Sequence, residues 1–157
     1  MQNGYTDVYL SLGSNLGDRK KNLDEAVEKL DKETGTVFAY SSFYETAPWG
    51  FKSEHLFLNR AIGLRTELSP FELFEKSKKI EREMGRNPLP EEKYKDRPID
   101  IDLLFYGNEV ISSPLLEIPH PRLHLRAFVL EPLSEIASQF VHPKLKKTIE
   151  EIRKELQ

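Results

Sequence analysis

Arg97-Pro98-Ile99-Asp100-Ile101-Asp102-Leu103-Leu104 is the stretch on which the fold turns. It opens a run, Ile99 to Tyr106, that is dense in apolar and β-favouring residues and follows a proline, as a strand does when it leaves a loop. Successive side chains on a strand point to opposite faces. Ile99, Ile101 and Leu103 therefore share a face that can be buried. Asp100 and Asp102 share the other, roughly 7 Å apart at the rise expected for two residues of strand. As the fourth strand of the chain, this run sets the order of everything before it.

Upstream, Val8 to Leu12 reads as a first strand that ends at Gly13. The turn Gly13-Ser14-Asn15-Leu16-Gly17-Asp18 follows, with Asn15 or Asp18 available to cap a helix. Leu23, Ala26, Val27 and Leu30 recur at helical spacing, and Gly35 ends that helix. Thr36 to Tyr44 reads as a second strand, Thr46 to Glu54 as a loop and Leu56 to Thr66 as a third strand. Ser69-Pro70 opens a second helix, with Phe71, Phe74, Ile80 and Met84 on its buried side and Gly85 at its end. The proline-bearing, polar segment Arg86 to Pro98 is a long loop of the kind that often carries function.

Downstream, Pro114 to Pro121 reads as another loop, Leu125 to Ser138 as containing a short helix, and Leu145 to Leu156 as a final one. The order through the fourth strand is βαββαβ. It predicts an α+β fold with a ferredoxin-like core, an antiparallel sheet with helices packed on one face, and additional C-terminal helices. The whole chain, 1–157, is expected to form one domain.

Composition narrows the function. Hydrophobic residues make up 38% and charged residues 31%, which suits a soluble globular protein. A net charge of −3 gives no electrostatic support to a nucleic-acid or membrane-surface role. With no cysteine there is no disulfide scaffold, thiol nucleophile or Cys-ligated metal. No apolar run approaches the ~20 residues of a membrane span, and the N-terminus lacks the apolar core of a signal peptide. The expectation is a cytoplasmic protein with no obligate protein partner.

Two acids side by side repel, and an otherwise apolar strand gains no stability from them. Asp100 and Asp102 suit Mg²⁺, a hard cation commonly held by one or two carboxylates plus substrate phosphates. Two metals roughly 4 Å apart can neutralise a transferring phosphoryl group over such a pair. The bland alternative is a solvated strand edge. Arg97 adjoins the acids and Arg86 opens the same loop, with Lys93 and Lys95 between them. Forked guanidinium donors bind phosphate two oxygens at a time, although these cations can equally pair with Glu91, Glu92 or Asp96. Phe57 and Asn59 face one way on a strand, an aromatic face beside an amide that both donates and accepts. That combination fits a flat heterocycle, or simply a core residue beside an edge residue. His120, held between two prolines, is either a phosphate contact or a structural histidine. The Gly13 to Gly17 turn lacks both the P-loop ending and the dinucleotide spacing.

Together the blocks carry more than any one of them. Gly13-Ser14-Asn15-Leu16-Gly17, Ser42 to Gly50, Phe57-Leu58-Asn59, Glu81 with Gly85-Arg86, Asp96 to Leu103, Pro119 to Arg122 and Arg126 to Leu130 follow one another in the order and spacing of the hydroxymethyldihydropterin pyrophosphokinases. The chain resembles that family from its first strand to about Ala137. The resemblance implies transfer of the β,γ-pyrophosphoryl group of ATP to 6-hydroxymethyl-7,8-dihydropterin, leaving AMP, in folate biosynthesis. It also implies the following site. Asp100 and Asp102 hold two Mg²⁺ ions, and Arg86 and Arg97 bind phosphate. Phe57 and Phe128 sandwich the pterin, whose polar edges are read by Asn59 and by Thr46, Ala47, Pro48, Trp49 and Gly50. Glu81, Lys93, Leu103, His120 and Arg126 lie around ATP. No general base is assigned, beyond a share for Asp100 or Asp102 in deprotonating the hydroxymethyl group.

The sequence departs from the common pattern of that family at three places. Arg86-Asn87-Pro88 stands for Arg-x-Arg, Lys93-Tyr94-Lys95-Asp96-Arg97 for Arg-Trp-Gly-Pro-Arg, and Ala47 for a proline. Another Mg²⁺-dependent phosphoryl or nucleotidyl transferase would keep the acids and arginines but need no aromatic clamp. A ferredoxin-like RNA-binding module would need a basic, aromatic sheet face, which two central carboxylates oppose.

Overall fold

In the computed structural model, which describes residues 4–47, 54–85 and 96–156, the central strand is the first in the chain. β1 (Thr6–Ser14) pairs antiparallel with β4 (Phe57–Thr66) on one side and with β5 (Asp100–Tyr106) on the other. β2 (Thr36–Tyr40) and β3 (Tyr44–Thr46) both pair along the far edge of β4. The order β2-β4-β1-β5 is the one the βαββαβ pattern calls for.

α1 (Arg19–Glu33) and α2 (Pro70–Glu83) lie on one face of the sheet. There Val8, Leu10 and Leu12 of β1, Ile62 and Leu64 of β4, and Ile101 and Leu103 of β5 meet Leu23, Ala26 and Leu30 of α1 and Leu73 and Ile80 of α2. The opposite face is also apolar, because Ala61, Leu104 and Phe105 point that way. It is covered by Val129, Leu130, Leu133 and Ala137 of α3 (Ala127–Ala137) and by Ile149 and Ile152 of α4 (Ile149–Leu156). The C-terminal helices thus complete a third layer, and the sheet is buried on both sides rather than one. Among the described residues no helix is long and apolar enough to cross a membrane.

One bulge decides where the acids point. Tyr9 pairs with Phe105 but Leu10 pairs with Leu103, so Leu104 is an extra residue in β5. Ile101 and Leu103 consequently join the α1–α2 core while Leu104 and Phe105 both join the α3–α4 core. By alternation, Asp100 and Asp102 lie on the α3–α4 side.

Local chemistry sets the helix ends. Asp18, not Asn15, caps α1, its carboxylate accepting from Lys21 N at 3.2 Å. Ser69 and Glu72 form a reciprocal capping box around Pro70 at the start of α2. Gly85, at φ +98°, takes the left-handed turn that stops it.

Four expectations are corrected. The run Thr36 to Tyr44 is two strands, because Ser41 interrupts it: its hydroxyl accepts from Ala61 N at 2.9 Å, and Nε and Nη2 of the buried Arg60 donate to its carbonyl. Pro114 to Pro121 is not all loop, since β7 (Glu117–Ile118) lies within it and pairs with β6 (Ile111–Ser112) just upstream. Phe71 faces outward, 41% exposed, and Leu73 takes the buried place beside Phe74 and Ile80. The last helix starts at Ile149, not Leu145, because Thr148 and Glu151 cap it reciprocally. A 3₁₀ turn, Leu123–Leu125, precedes α3.

The segment before α4 is organised around His142, which is 4% exposed. Its Nδ1 accepts from Lys144 N and Leu145 N, each at 3.1 Å, and its ring meets Phe105 edge-on. Burial, with His124 and Lys144 nearby, lowers its pKa from 6.5 to about 4. The folded state therefore holds it neutral while the unfolded chain takes up a proton. That stability is complete above pH 6.5 and is lost as the pH falls towards 4. Denaturant midpoints measured across this interval are expected to fall less steeply in His142→Asn, which keeps an acceptor but cannot be protonated; an unchanged slope would place the titration elsewhere.

Candidate active site

Side chains directly opposite one another in an antiparallel ladder share a face. Tyr44, Asn59, Gly13 and Asp100 form one such row across β3, β4, β1 and β5, and Ala61, Ser11 and Asp102 form a second. Thr46 and Phe57 form a third pair beyond the first row. The sheet face therefore carries an aromatic and an amide on β4, a gap at Gly13, and two carboxylates on β5.

The gap has a purpose. A Cβ at position 13 would lie 3.0 Å from Asn59 Oδ1 and 3.4 Å from the Phe57 ring. Glycine lets both side chains lean across β1. Asn59 is 2% exposed, and its Nδ2 donates to Thr46 Oγ1 at 2.7 Å and more weakly to the Tyr44 carbonyl. That fixes the amide with Oδ1 turned towards the gap.

Around the acids stand cations from three directions. Arg97, 7% exposed, brings Nη1 to 3.5 Å from Asp100 Oδ1. Arg126, the residue before α3, acts electrostatically on both Asp102 and His120, and its guanidinium lies 5.6 Å from the centre of the Phe128 ring. Lys78 of α2 adds positive potential at Asp102. Glu81, also on α2 and 2% exposed, accepts from Ile101 N at 2.6 Å and pairs with Lys78 Nζ at 3.4 Å. It thereby satisfies a backbone donor on the unpaired side of β5, as a buried strand edge requires. On the same strand the Leu104 carbonyl accepts from His120 N at 3.0 Å.

Burial raises the pKa of Asp102 to about 7, with the Asp100 and Glu81 carboxylates adding to the shift. His120 goes the other way. Burial, then the Arg126 charge, lowers it to about 4. Its Nδ1 accepts from Arg122 N at 3.2 Å, so the neutral ring carries its proton on Nε2. The donor set fits a divalent cation that keeps most of its shell from elsewhere. Two carboxylates share a face, Asp102 feels the Asp100 and Glu81 charges, and no cluster of three or more candidate ligands exists among the described residues.

The family model described as 7,8-dihydro-6-hydroxymethylpterin-pyrophosphokinase (HPPK) matches residues 9–138, a span that contains every one of these groups. The chain belongs to this family. A 2-amino-4-hydroxy-6-hydroxymethyldihydropteridine pyrophosphokinase of Porphyromonas gingivalis is 48% identical over 139 residues, 87% of this chain and 94% of that protein. The enzyme of that name from Aquifex aeolicus is 43% identical over 94% of this chain and 91% of its own length. Among solved structures, Plasmodium falciparum HPPK-DHPS with pterin and p-hydroxybenzoate superposes with a TM-score of 0.77 at 17% identity. That match covers 99% of this chain but 42% of the longer protein, so it speaks for the HPPK fold alone.

Of the residues expected from the resemblance to HPPK enzymes, the fold brings Asp100, Asp102, Arg97, Asn59, Phe57, Thr46, His120, Arg126 and Phe128 to one side of the sheet. Ala47 follows β3 directly. Glu81 reaches β5 from the opposite layer, and Leu103, 5% exposed, has its side chain in the α1–α2 core. Arg86, Lys93, Pro48, Trp49 and Gly50 lie outside the described residues. The sequence reading passed over Lys78, whose signal was its position three residues before Glu81 on a helix, and gave Asn15, a possible cap within a motif block, no place in the site.

In the metal-free protein, Asp102 is expected to titrate near neutrality, followed by carboxyl ¹³C shifts, and Asp100→Asn is expected to lower that midpoint by removing the adjacent charge. Because the folded state binds the proton more tightly, this group's stabilisation is full below pH 3.8 and is lost as the pH rises to about 7. An Asp102 midpoint that Asp100→Asn leaves unmoved would contradict the coupling.

Proposed function

We propose that this chain is a Mg²⁺-dependent pyrophosphokinase, its residues 1–157 forming one domain, that transfers the β,γ-pyrophosphoryl group of ATP to 6-hydroxymethyl-7,8-dihydropterin in folate biosynthesis in the cytoplasm. The observation that carries the proposal is the shared sheet face on which Asp100 and Asp102, beside Arg97, lie across β1 from Phe57 and Asn59. The hydroxymethyl oxygen attacks the β-phosphorus and loses its proton. The bond from that phosphorus to the oxygen bridging the α-phosphate breaks, and AMP leaves with that oxygen. Such a transfer needs alignment and charge neutralisation more than a nucleophilic side chain.

The residues divide the task by position. Asn59 presents Oδ1 to N–H donors at the pterin edge, because Thr46 occupies its Nδ2. Phe57 and Phe128 supply ring faces for a flat heterocycle, and Thr46, Ala47, Pro48, Trp49 and Gly50 supply its polar edge contacts. Asp100 and Asp102 hold Mg²⁺, two ions in the full complex, which supplies positive charge to the phosphate oxygens. Arg97 offers a rigid fork to the same oxygens, with Arg86 and Lys93 contributing from the segment before it. His120, neutral at physiological pH, donates from Nε2 to an anionic oxygen without adding charge. Arg126 complements the nucleotide's charge; Glu81 and Leu103 act by fixing β5 beside it.

Product analysis with ATP, Mg²⁺ and the hydroxymethyldihydropterin is expected to give AMP in step with the pterin pyrophosphate; ADP would make the chain a different transferase. Asp100→Asn and Asp102→Asn are each expected to lower turnover at least about a hundredfold, the scale of losing a preorganised electrostatic contact, with pterin binding retained. Wild-type turnover in either variant would remove the carboxylates from the mechanism. Gly13→Ala is expected to weaken pterin binding by about tenfold, since its Cβ presses on Asn59 Oδ1 at the usual cost of overpacking. Equilibrium titration with the pterin checks it.

A further inference from the structure

Asn15 is 2% exposed and lies in the turn after β1. An amide buried there would be costly unless satisfied, and it is satisfied by groups 40 or more residues away in sequence. Its Nδ2 donates to the His55 carbonyl at 3.1 Å and to Asp96 Oδ1 at 2.7 Å. Its Oδ1 accepts from Arg97 N at 2.7 Å, and its own N–H donates to the Arg97 carbonyl at 3.0 Å. His55 follows the segment assigned to the pterin edge, and Asp96-Arg97 follows the segment holding Arg86 and Lys93. His55 Nε2 also lies 3.8 Å from Asp96 Oδ2, so the two exits touch each other at this point.

We propose that Asn15 is a positioning residue for the transfer: one buried amide that ties the ends of both substrate segments to β1 and sets the Arg97 backbone from which the guanidinium reaches Asp100. Asn15 touches no reacting atom. It acts because Arg97 is grasped at both its N–H and its carbonyl, which gives a fixed origin to the side chain whose Nη1 lies 3.5 Å from Asp100 Oδ1. A short carboxylate-to-amide bond to Asp96 and a bond to the His55 carbonyl extend the same constraint to the pterin side. The inference rests on the proposed pyrophosphoryl transfer for its consequence, but not for its geometry.

Two measurements on the full chain test it. In Asn15→Ala the backbone amides of 54–56 and of 96–97 are expected to exchange with solvent faster together, by roughly tenfold or more, as local opening grows easier. Faster exchange at one segment only, or at neither, overturns the shared anchor whether or not the transfer is the right activity. In turnover with ATP and the pterin, Asn15→Ala is expected to lower kcat at saturating substrates by roughly 10- to 100-fold, well below the unfolding temperature, the usual effect of a misplaced catalytic group. Asn15→Asp, which keeps the acceptor for Arg97 but sets a carboxylate against Asp96, falls at least as far. Asn15→Asp combined with Asp96→Asn reverses the donor and acceptor, and is expected to recover about tenfold over Asn15→Asp alone. Absence of that recovery, or wild-type kcat in Asn15→Ala, overturns the positioning role. The paired variants carry the test if Asn15→Ala does not fold.

Discussion

The antiparallel register that sets Asn59, Gly13 and Asp100 side by side is the constraint on which the rest of the molecule depends. It places a group suited to a heterocycle and a group suited to a metal on the two strands that flank β1, on one rigid surface. It works only because β1 is central and because its member of the row has no side chain. Both neighbours lean over that gap, and an alanine Cβ there would press on Asn59 Oδ1. Registers of this kind resist slipping, since a one-residue shift would turn each strand's buried side chains outward.

Holding two carboxylates on a largely apolar strand has an energetic cost, and the surroundings show how it is distributed. Ile101 and Leu103 bury the opposite face against α1 and α2, so the strand is anchored without help from the acids. The Leu104 bulge then swings two consecutive apolar residues to the acids' side, where α3 and α4 cover them. Arg97 and Arg126 offset part of the charge, yet Asp102 keeps a strong preference for its proton.

Much of this was legible before any tertiary contact was known. Alternation in Ile99 to Leu103 fixed which side chains share a face, and Ser69-Pro70 fixed the start of α2, because both depend on backbone geometry alone. The break at Ser41 was not legible: a run of β-formers gives no sign that a hydroxyl will replace a backbone partner of Ala61. Phe71 misled for a related reason, since helical periodicity cannot say whether Phe71 or Leu73 joins Phe74 and Ile80 against the sheet. Asn15 was named as a cap because capping is the local use of such a residue, whereas its partners come from His55, Asp96 and Arg97.

By itself, then, the sequence determined the βαββαβ order, the shared face of Asp100 and Asp102, and the ordered motif blocks that mark the family. All of these are properties of neighbours along the chain or of spacing. Only the tertiary structure decided that the C-terminal helices close the second face of the sheet, that Glu81 serves the edge of β5, and that a single asparagine joins the ends of two distant segments. Those outcomes require partners remote in sequence, and hydrogen bonding gives no local sign of which remote donor a buried acceptor will find.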